Sequence, residues 1–180
     1  ASTHFTPAFS PDGKNDPDQV LNGTSGDDTL IGAGGNDTIH GLNGNDSIQG
    51  NAGSDVISGG AGNDTIDGGF GDDHIDGGDG NDTITDNQGV NTLKGGAGND
   101  TISSKSLTLT SRLEGGAGND RLEATGKSVT LIGGDGDDRI KANAELRSEQ
   151  GARPTYAMDA EANIDGGEGS DTINVRYYNQ

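Results

Sequence analysis

Residues 59–85 read GGAGNDTID, GGFGDDHID, GGDGNDTIT: three nonapeptides in one register. With the places numbered one to nine, Gly holds places one, two and four, Asp holds place six and Ile holds place eight. The looser pattern G-x-x-G-x-D-x-(Leu or Ile)-x also begins at Gly23, Gly32, Gly41 and Gly50 before this stretch, and at Gly95, Gly115, Gly133 and Gly166 after it. Self-similarity at a fixed short period is the mark of a stacked architecture in which no unit buries its apolar face alone. Places seven to nine alternate as a short strand does, with place eight inward and its neighbours outward. The inward ladder then runs from Leu30 and Ile39 through Ile66, Ile75 and Ile84 to Ile140, Ile164 and Ile173. One aliphatic in nine residues makes a core only when the strands stack.

The composition agrees and narrows the function. Of 180 residues 34 are Gly, apolar residues make up 27% and aromatics 3%, and Cys and Trp are absent. Thirty acids against eleven Lys and Arg leave a net charge of −19. Disulfides and thiolate metal sites are excluded, and nucleic acid, itself a polyanion, is disfavoured as a partner. No run of apolar residues is long enough to span a membrane. Residues 1–10 carry no basic region followed by an apolar run, so no classical signal peptide is expected among them.

In tandem, over residues 23–174, the repeat resembles the RTX (repeats in toxin) family of calcium-binding nonapeptides. The resemblance implies a right-handed parallel β-roll with two nonapeptides per turn, an all-β fold. The first six places would form a calcium-binding turn and the last three a short strand. It also implies a secreted or cell-surface bacterial protein exported through a type I system, as a unit of a larger toxin, adhesin or exoenzyme. The residues are compatible with that chemistry. Gly permits a tight turn and leaves carbonyls uncovered, and carboxylate and carbonyl oxygens are what Ca²⁺ takes, six to eight per ion.

With two units per turn, odd and even units lie on opposite edges. Counted from Gly23, every degenerate unit is even. The eighth, DNQGVNTLK from Asp86, has Asn91 at the acidic place. The tenth is overlong, the twelfth has Val129 at place six, and the fourteenth carries an insertion before Ile164. One edge is therefore expected to keep an unbroken metal column through Asp28, Asp46, Asp64, Asp82, Asp100, Asp120, Asp138 and Asp171. The other keeps only Asp37, Asp55 and Asp73. Backbone carbonyls at places two and four are expected to complete the sites: Gly44, Gly60, Gly62, Gly78, Gly80, Gly96, Gly98, Gly116, Gly118, Gly134 and Gly136. An ion between each pair of stacked turns gives about nine Ca²⁺, with a range of roughly seven to eleven. Carboxylates one strand spacing apart, about 4.8 Å, repel by about 1 kcal/mol in water and about 3.5 kcal/mol at an effective dielectric of 20. Without calcium the chain is expected to be an extended, self-repelling coil.

No residue is expected to be catalytic. His4, His40 and His74 form no metalloprotease motif or triad, and no nucleophile elbow occurs. Ten of the eleven basic residues fall from Lys94 onward. Arg112, Arg121, Arg139 and Lys141 sit at outward places, either as a weakly basic face for an acidic polysaccharide or cell-surface ligand, or as offsets to acids such as Glu114 and Glu123. The offset is favoured. Residues 1–22 read as a linker or cap, with Leu21 inward in a short strand. Residues 142–163 form an inserted loop on the metal-poor edge, with a short helix over 142–150. Residues 175–180 form a tail over the open end. An uncovered end would invite end-to-end self-association. The ending NVRYYNQ lacks a family secretion tail, so the chain reads as a piece of a longer protein.

Overall fold

A computed structural model describes residues 4–5, 16–146 and 161–179. The chain winds as a solenoid of parallel strands with no helix among the described residues. Fifteen strands follow in order: β1 His4–Phe5, β2 Val20–Asn22, β3 Thr29–Gly34, β4 Thr38–Asn43, β5 Ser47–Ala52, β6 Val56–Ala61, β7 Thr65–Phe70, β8 His74–Asp79, β9 Thr83–Asp86, β10 Thr92–Ala97, β11 Thr101–Ala117, β12 Arg121–Asp135, β13 Arg139–Leu146, β14 Glu161–Glu168 and β15 Thr172–Asn179. Every strand pairs with the one a full turn away, as in Ile48↔Ile66, Ile66↔Ile84 and Ile57↔Ile75, partners eighteen residues apart. Two nonapeptides therefore make a turn, and odd and even units occupy opposite edges. The fold is the parallel β-roll.

The strands are longer than three residues. β3 to β8 and β10 each have six, running from place seven of one unit through place three of the next. Glycines at places one and two thus extend the strand before the turn, because a bare Cα lets successive turns approach closely. Where units lose their acids, the strand goes further. β11 and β12 run straight through the edge, pairing Ser104↔Ala124 and Ser111↔Val129, with a register shift between Ser106 and Thr110 that absorbs the extra residues of the tenth unit.

The core is the place-eight ladder. Its members from Leu30 to Ile140 are at most 2% exposed, Leu21 joins at the top and Ile164 is partly buried. The bottom of the ladder departs from expectation: Ile173 is 47% exposed and Val175 38%, because no further turn of the described residues lies beneath them. Residues 175–179 do not fold back over that end but continue β15 alongside β13, with Val175 opposite Ala142. The helix expected over 142–150 is also absent where the chain is described. Ala142–Leu146 belongs to β13 and is held by β15 and, as far as Ala144, by β12, since ladder pairing satisfies the backbone better than an isolated helical turn. Residues 147–160 of that insertion, including Tyr156 and Met158, lie outside the described residues.

Candidate metal centres along the two edges

Place six turns inward at both edges, so its carboxylates are buried. Asp28, Asp37, Asp46, Asp55, Asp64, Asp73, Asp82, Asp100, Asp120 and Asp138 are all at most 3% exposed. Each edge stacks them in one column. On the odd edge the N–H of Asp28 donates to Asp46 Oδ1 at 2.8 Å, and the same bond repeats from Asp46 to Asp64, Asp64 to Asp82, Asp82 to Asp100, Asp100 to Asp120, and Asp120 to Asp138. Asp138 reaches Asp171 at 3.0 Å across the long insertion. The even edge runs Gln19, Asp37, Asp55, Asp73 and Asn91 by the same bond. Both columns are built from the place-six residues of alternate units.

The other carboxylate oxygen is left over. Oδ2 of Asp37, Asp46, Asp55, Asp64, Asp73, Asp82, Asp100, Asp120 and Asp138 is buried with no hydrogen-bond partner. At most of these turns a carbonyl oxygen borders the same space. A Cβ on Gly32 would fall between Asp37 Oδ2 and the carbonyl oxygen of Gly50 at 2.6 Å, and one on Gly95 between Asp100 Oδ2 and the Gly115 carbonyl, also at 2.6 Å. The arrangement repeats at Gly59 and Gly77. Place one is therefore glycine because a side chain there would fill an oxygen-walled cradle. Two acceptors facing each other in a buried space are stable only with a cation or a proton between them.

The top of each column supplies an internal comparison. Gln19 stands at place six above Asp37, and its side-chain NH₂ donates to the Gly32 carbonyl at 2.8 Å. An amide donor thus sits where the turns below put Oδ2 opposite a carbonyl. In the first odd turn Asp28 Oδ2 accepts from the Thr24 hydroxyl and N–H. Donors occur at the ends, and bare oxygens fill the middle.

The carboxyls respond as such a cradle requires. Burial, offset by the N–H from the preceding turn and reinforced by neighbouring acids, pushes Asp55 up to about 7 and Asp64, Asp82 and Asp100 up to about 6. Asp120 is likewise pushed up to about 6. Nowhere among the described residues do three acidic or His side chains converge, so a cation here must draw on carbonyl oxygens. Glycines of places two and four line the same turns at positive φ, for example Gly78 at 111° and Gly80 at 132°. The carbonyl facing each Oδ2, however, is that of place one in the following turn.

Together these observations decide the family. RTX calcium-binding nonapeptide repeats match residues 18–48, 40–75, 49–84, 76–105, 114–144 and 163–175. The chain belongs to the RTX calcium-binding repeat family. No curated protein and no solved structure matches it. As an RTX β-roll it is a calcium-binding structural module, with hard-oxygen cradles of the kind Ca²⁺ takes at 2.3–2.6 Å.

Sequence reasoning passed over two features of this RTX roll. Place five also forms a ladder, exposed and running the opposite way: the N–H of Asn63 donates to Asn45 Oδ1, Asn81 to Asn63, Asn99 to Asn81 and Asn119 to Asn99, each at 2.7 Å. The clue was the near-uniform Asn, Asp or Ser at that place, all short side chains with an oxygen acceptor. The second feature is Asp86, fully buried at place one of the eighth unit. Three of the four outward basic residues, by contrast, are offset by acids. Arg112 pairs with Glu114 at 3.1 Å, Arg121 with Glu123 at 3.5 Å and Lys141 with Glu123 at 2.6 Å. The Lys141 bond, ahead of other effects, pulls the Glu123 carboxyl down.

Proposed function

We propose that this RTX module is a calcium-driven folding unit of a secreted bacterial protein, unstructured at cytosolic calcium and folded by calcium outside the cell. The observation that carries this reading is the column of buried Oδ2 atoms facing carbonyl oxygens with no donor between them. Without a cation, each stacked pair of turns sets acceptor against acceptor and carboxylate near carboxylate. Eight place-six Oδ2 atoms of this kind, those of Asp37, Asp46, Asp55, Asp64, Asp82, Asp100, Asp120 and Asp138, support an uptake of about nine ions, within the expected range of roughly seven to eleven, with the place-six carboxylates and glycine carbonyls as ligands. Nine Ca²⁺ bring +18 against a net charge of −19, so binding removes almost the whole self-repulsion. Extracellular calcium modules bind at about 10⁻⁴–10⁻³ M, which suits a chain threaded unfolded through a type I exporter and folded on arrival. The module's part in the larger protein is that of a rigid stacked spacer.

The test is far-UV circular dichroism during a calcium titration, with magnesium in parallel. A coil spectrum that turns cooperatively to β with calcium alone is the expected result. A β spectrum that survives chelation overturns the reading.

A further inference from the structure

The even edge shows how a metal column ends. Its paired residues at places one and six run Gly50 with Asp55, Gly68 with Asp73, Asp86 with Asn91, Ser104 with Ser111, and Ala124 with Val129. At the Asp86/Asn91 step both residues change together, and the carboxylate moves from place six to place one. Asn91 keeps the structural part of the role: its Oδ1 accepts the N–H of Asp73 at 2.9 Å, while its own amide donates to the Gln88 carbonyl at 3.2 Å. It brings no charge.

Asp86 brings the charge. Its side chain is fully buried at the end of β9 and lies against Gly68 of the turn above, where Asp86 Oδ2 and Asp73 Oδ2 converge on the space a Cβ would take, Asp73 Oδ2 lying 2.7 Å from that Cβ position. In the turns above, Oδ2 shares that space with a glycine carbonyl; here it faces a second carboxylate. Asp86 Oδ1 accepts the Gln88 N–H at 3.2 Å, but neither Oδ2 has a donor. One turn further on, Ser104 donates to Ser111 at 3.2 Å, a neutral hydrogen bond that needs no ion.

We propose that Asp86 is a calcium ligand: with Asp73 it forms a last, non-consensus Ca²⁺ site on the even edge, one turn beyond the point where the place-six acids stop. The inference rests on the calcium-module reading and adds one ion to that edge. Two carboxylates on one ion match the charge that consecutive place-six acids supply elsewhere, so the site completes the column with the same charge in a different position. Ser104, with no carboxylate to offer, ends it.

The experiment counts bound calcium on the whole chain by equilibrium dialysis, for the parent and three variants. Asp86→Gly restores the repeat's own place-one residue, and Asp86→Asn keeps the shape without the charge. Each is expected to bind one ion fewer than the parent while showing the same β spectrum in saturating calcium. Asp86→Gly/Asn91→Asp returns the carboxylate to place six and is expected to regain the ion. Variants that bind as many ions as the parent overturn the inference and leave Asp73 and Asp86 as a carboxyl pair sharing a proton. A double variant that does not regain the ion also overturns it, since the loss then reflects damage rather than a missing ligand. A parent chain that binds no calcium defeats the module reading itself, an outcome distinct from both.

Discussion

Replacing Ile66 by Ala tests how tightly folding and calcium are tied. Ile66 is 1% exposed and sits one strand spacing from Ile48 above and Ile84 below. The backbone around it is pinned by the Asp46–Asp64 and Asp64–Asp82 bonds, so the site has little freedom to collapse over the gap. A buried Ile→Ala change costs about 2–5 kcal/mol; about 3 kcal/mol serves here. If folding takes up n ions together, the calcium midpoint rises by a factor of exp(ΔΔG/nRT). For about nine ions that is a shift of only about 1.8-fold, whereas for a single coupled ion it is about 160-fold. The assay is circular dichroism against free calcium for Ile66→Ala and parent side by side. A shift below about twofold with an unchanged steep slope is expected. A shift above about tenfold would mean that about two ions at most fold with the chain, and would refute the picture of one cooperative stack.

Other expectations follow from the same geometry. Gly98 has φ of 130°, and a Cβ there would strike the Gly80 carbonyl, so Gly98→Ala combines strain of about 1–3 kcal/mol with a backbone clash and should raise the calcium midpoint more than Ile66→Ala does. Asp100→Asn keeps an acceptor for the Asp82 N–H but removes the charge. It should lower calcium stoichiometry as much as Asp100→Ala, while the Ala variant loses about 1 kcal/mol more from the broken bond. The raised carboxyls also set a pH dependence. With folded values of about 7 for Asp55 and about 6 for Asp64, Asp82, Asp100 and Asp120, against an ordinary 3.8, the metal-free fold binds more protons than the coil, and its stability falls as pH rises from about 4 to about 7. Calcium-stripped protein should therefore show more β signal at pH 4.5 than at pH 7.5, read by circular dichroism. Amide exchange at limiting calcium should be slowest in β11 and β12, where the even edge needs no metal.

The sequence made the register, the two edges and the place-eight ladder legible because each depends on one residue type at one spacing. A nine-residue period with a single aliphatic admits few alternatives to stacking, and Leu30 to Ile140 are buried as that requires. The acids of place six were legible for the same reason. What escaped reading depends on the neighbouring turn rather than on the unit itself. The carbonyl that faces Asp37 Oδ2 belongs to Gly50, thirteen residues away, and Asp86 looks like a damaged glycine until Gly68 is seen beneath it. The helix expected over 142–150 gives way over Ala142–Leu146 for a different reason: local propensity favoured it, but β15 offered that segment a ladder partner and β12 a second one as far as Ala144.

The even edge sets out, turn by turn, the ways a buried acceptor can be satisfied. Gln19 places an amide on the Gly32 carbonyl. Asp37, Asp55 and Asp73 leave an oxygen that calls for a cation. Ser104 and Ser111 replace the cation with a hydroxyl pair, and Ala124 and Val129, both at most 1% exposed, replace it with hydrocarbon. From Asp73 onward the charge in the turn falls to none, and the need for a cation falls with it. The basic residues appear over the same span, with Arg112, Arg121 and Lys141 answering Glu114 and Glu123 on the strand faces. The backbone changes as well: β11 and β12 carry ladder pairing straight through the edge, where the metal turns have glycine at positive φ. On the proposed calcium-module reading, ions thus hold the roll together along the odd edge. Along the other it passes within a few turns to hydrogen bonds and packing, and calcium is needed only where the cradle still faces oxygen with oxygen.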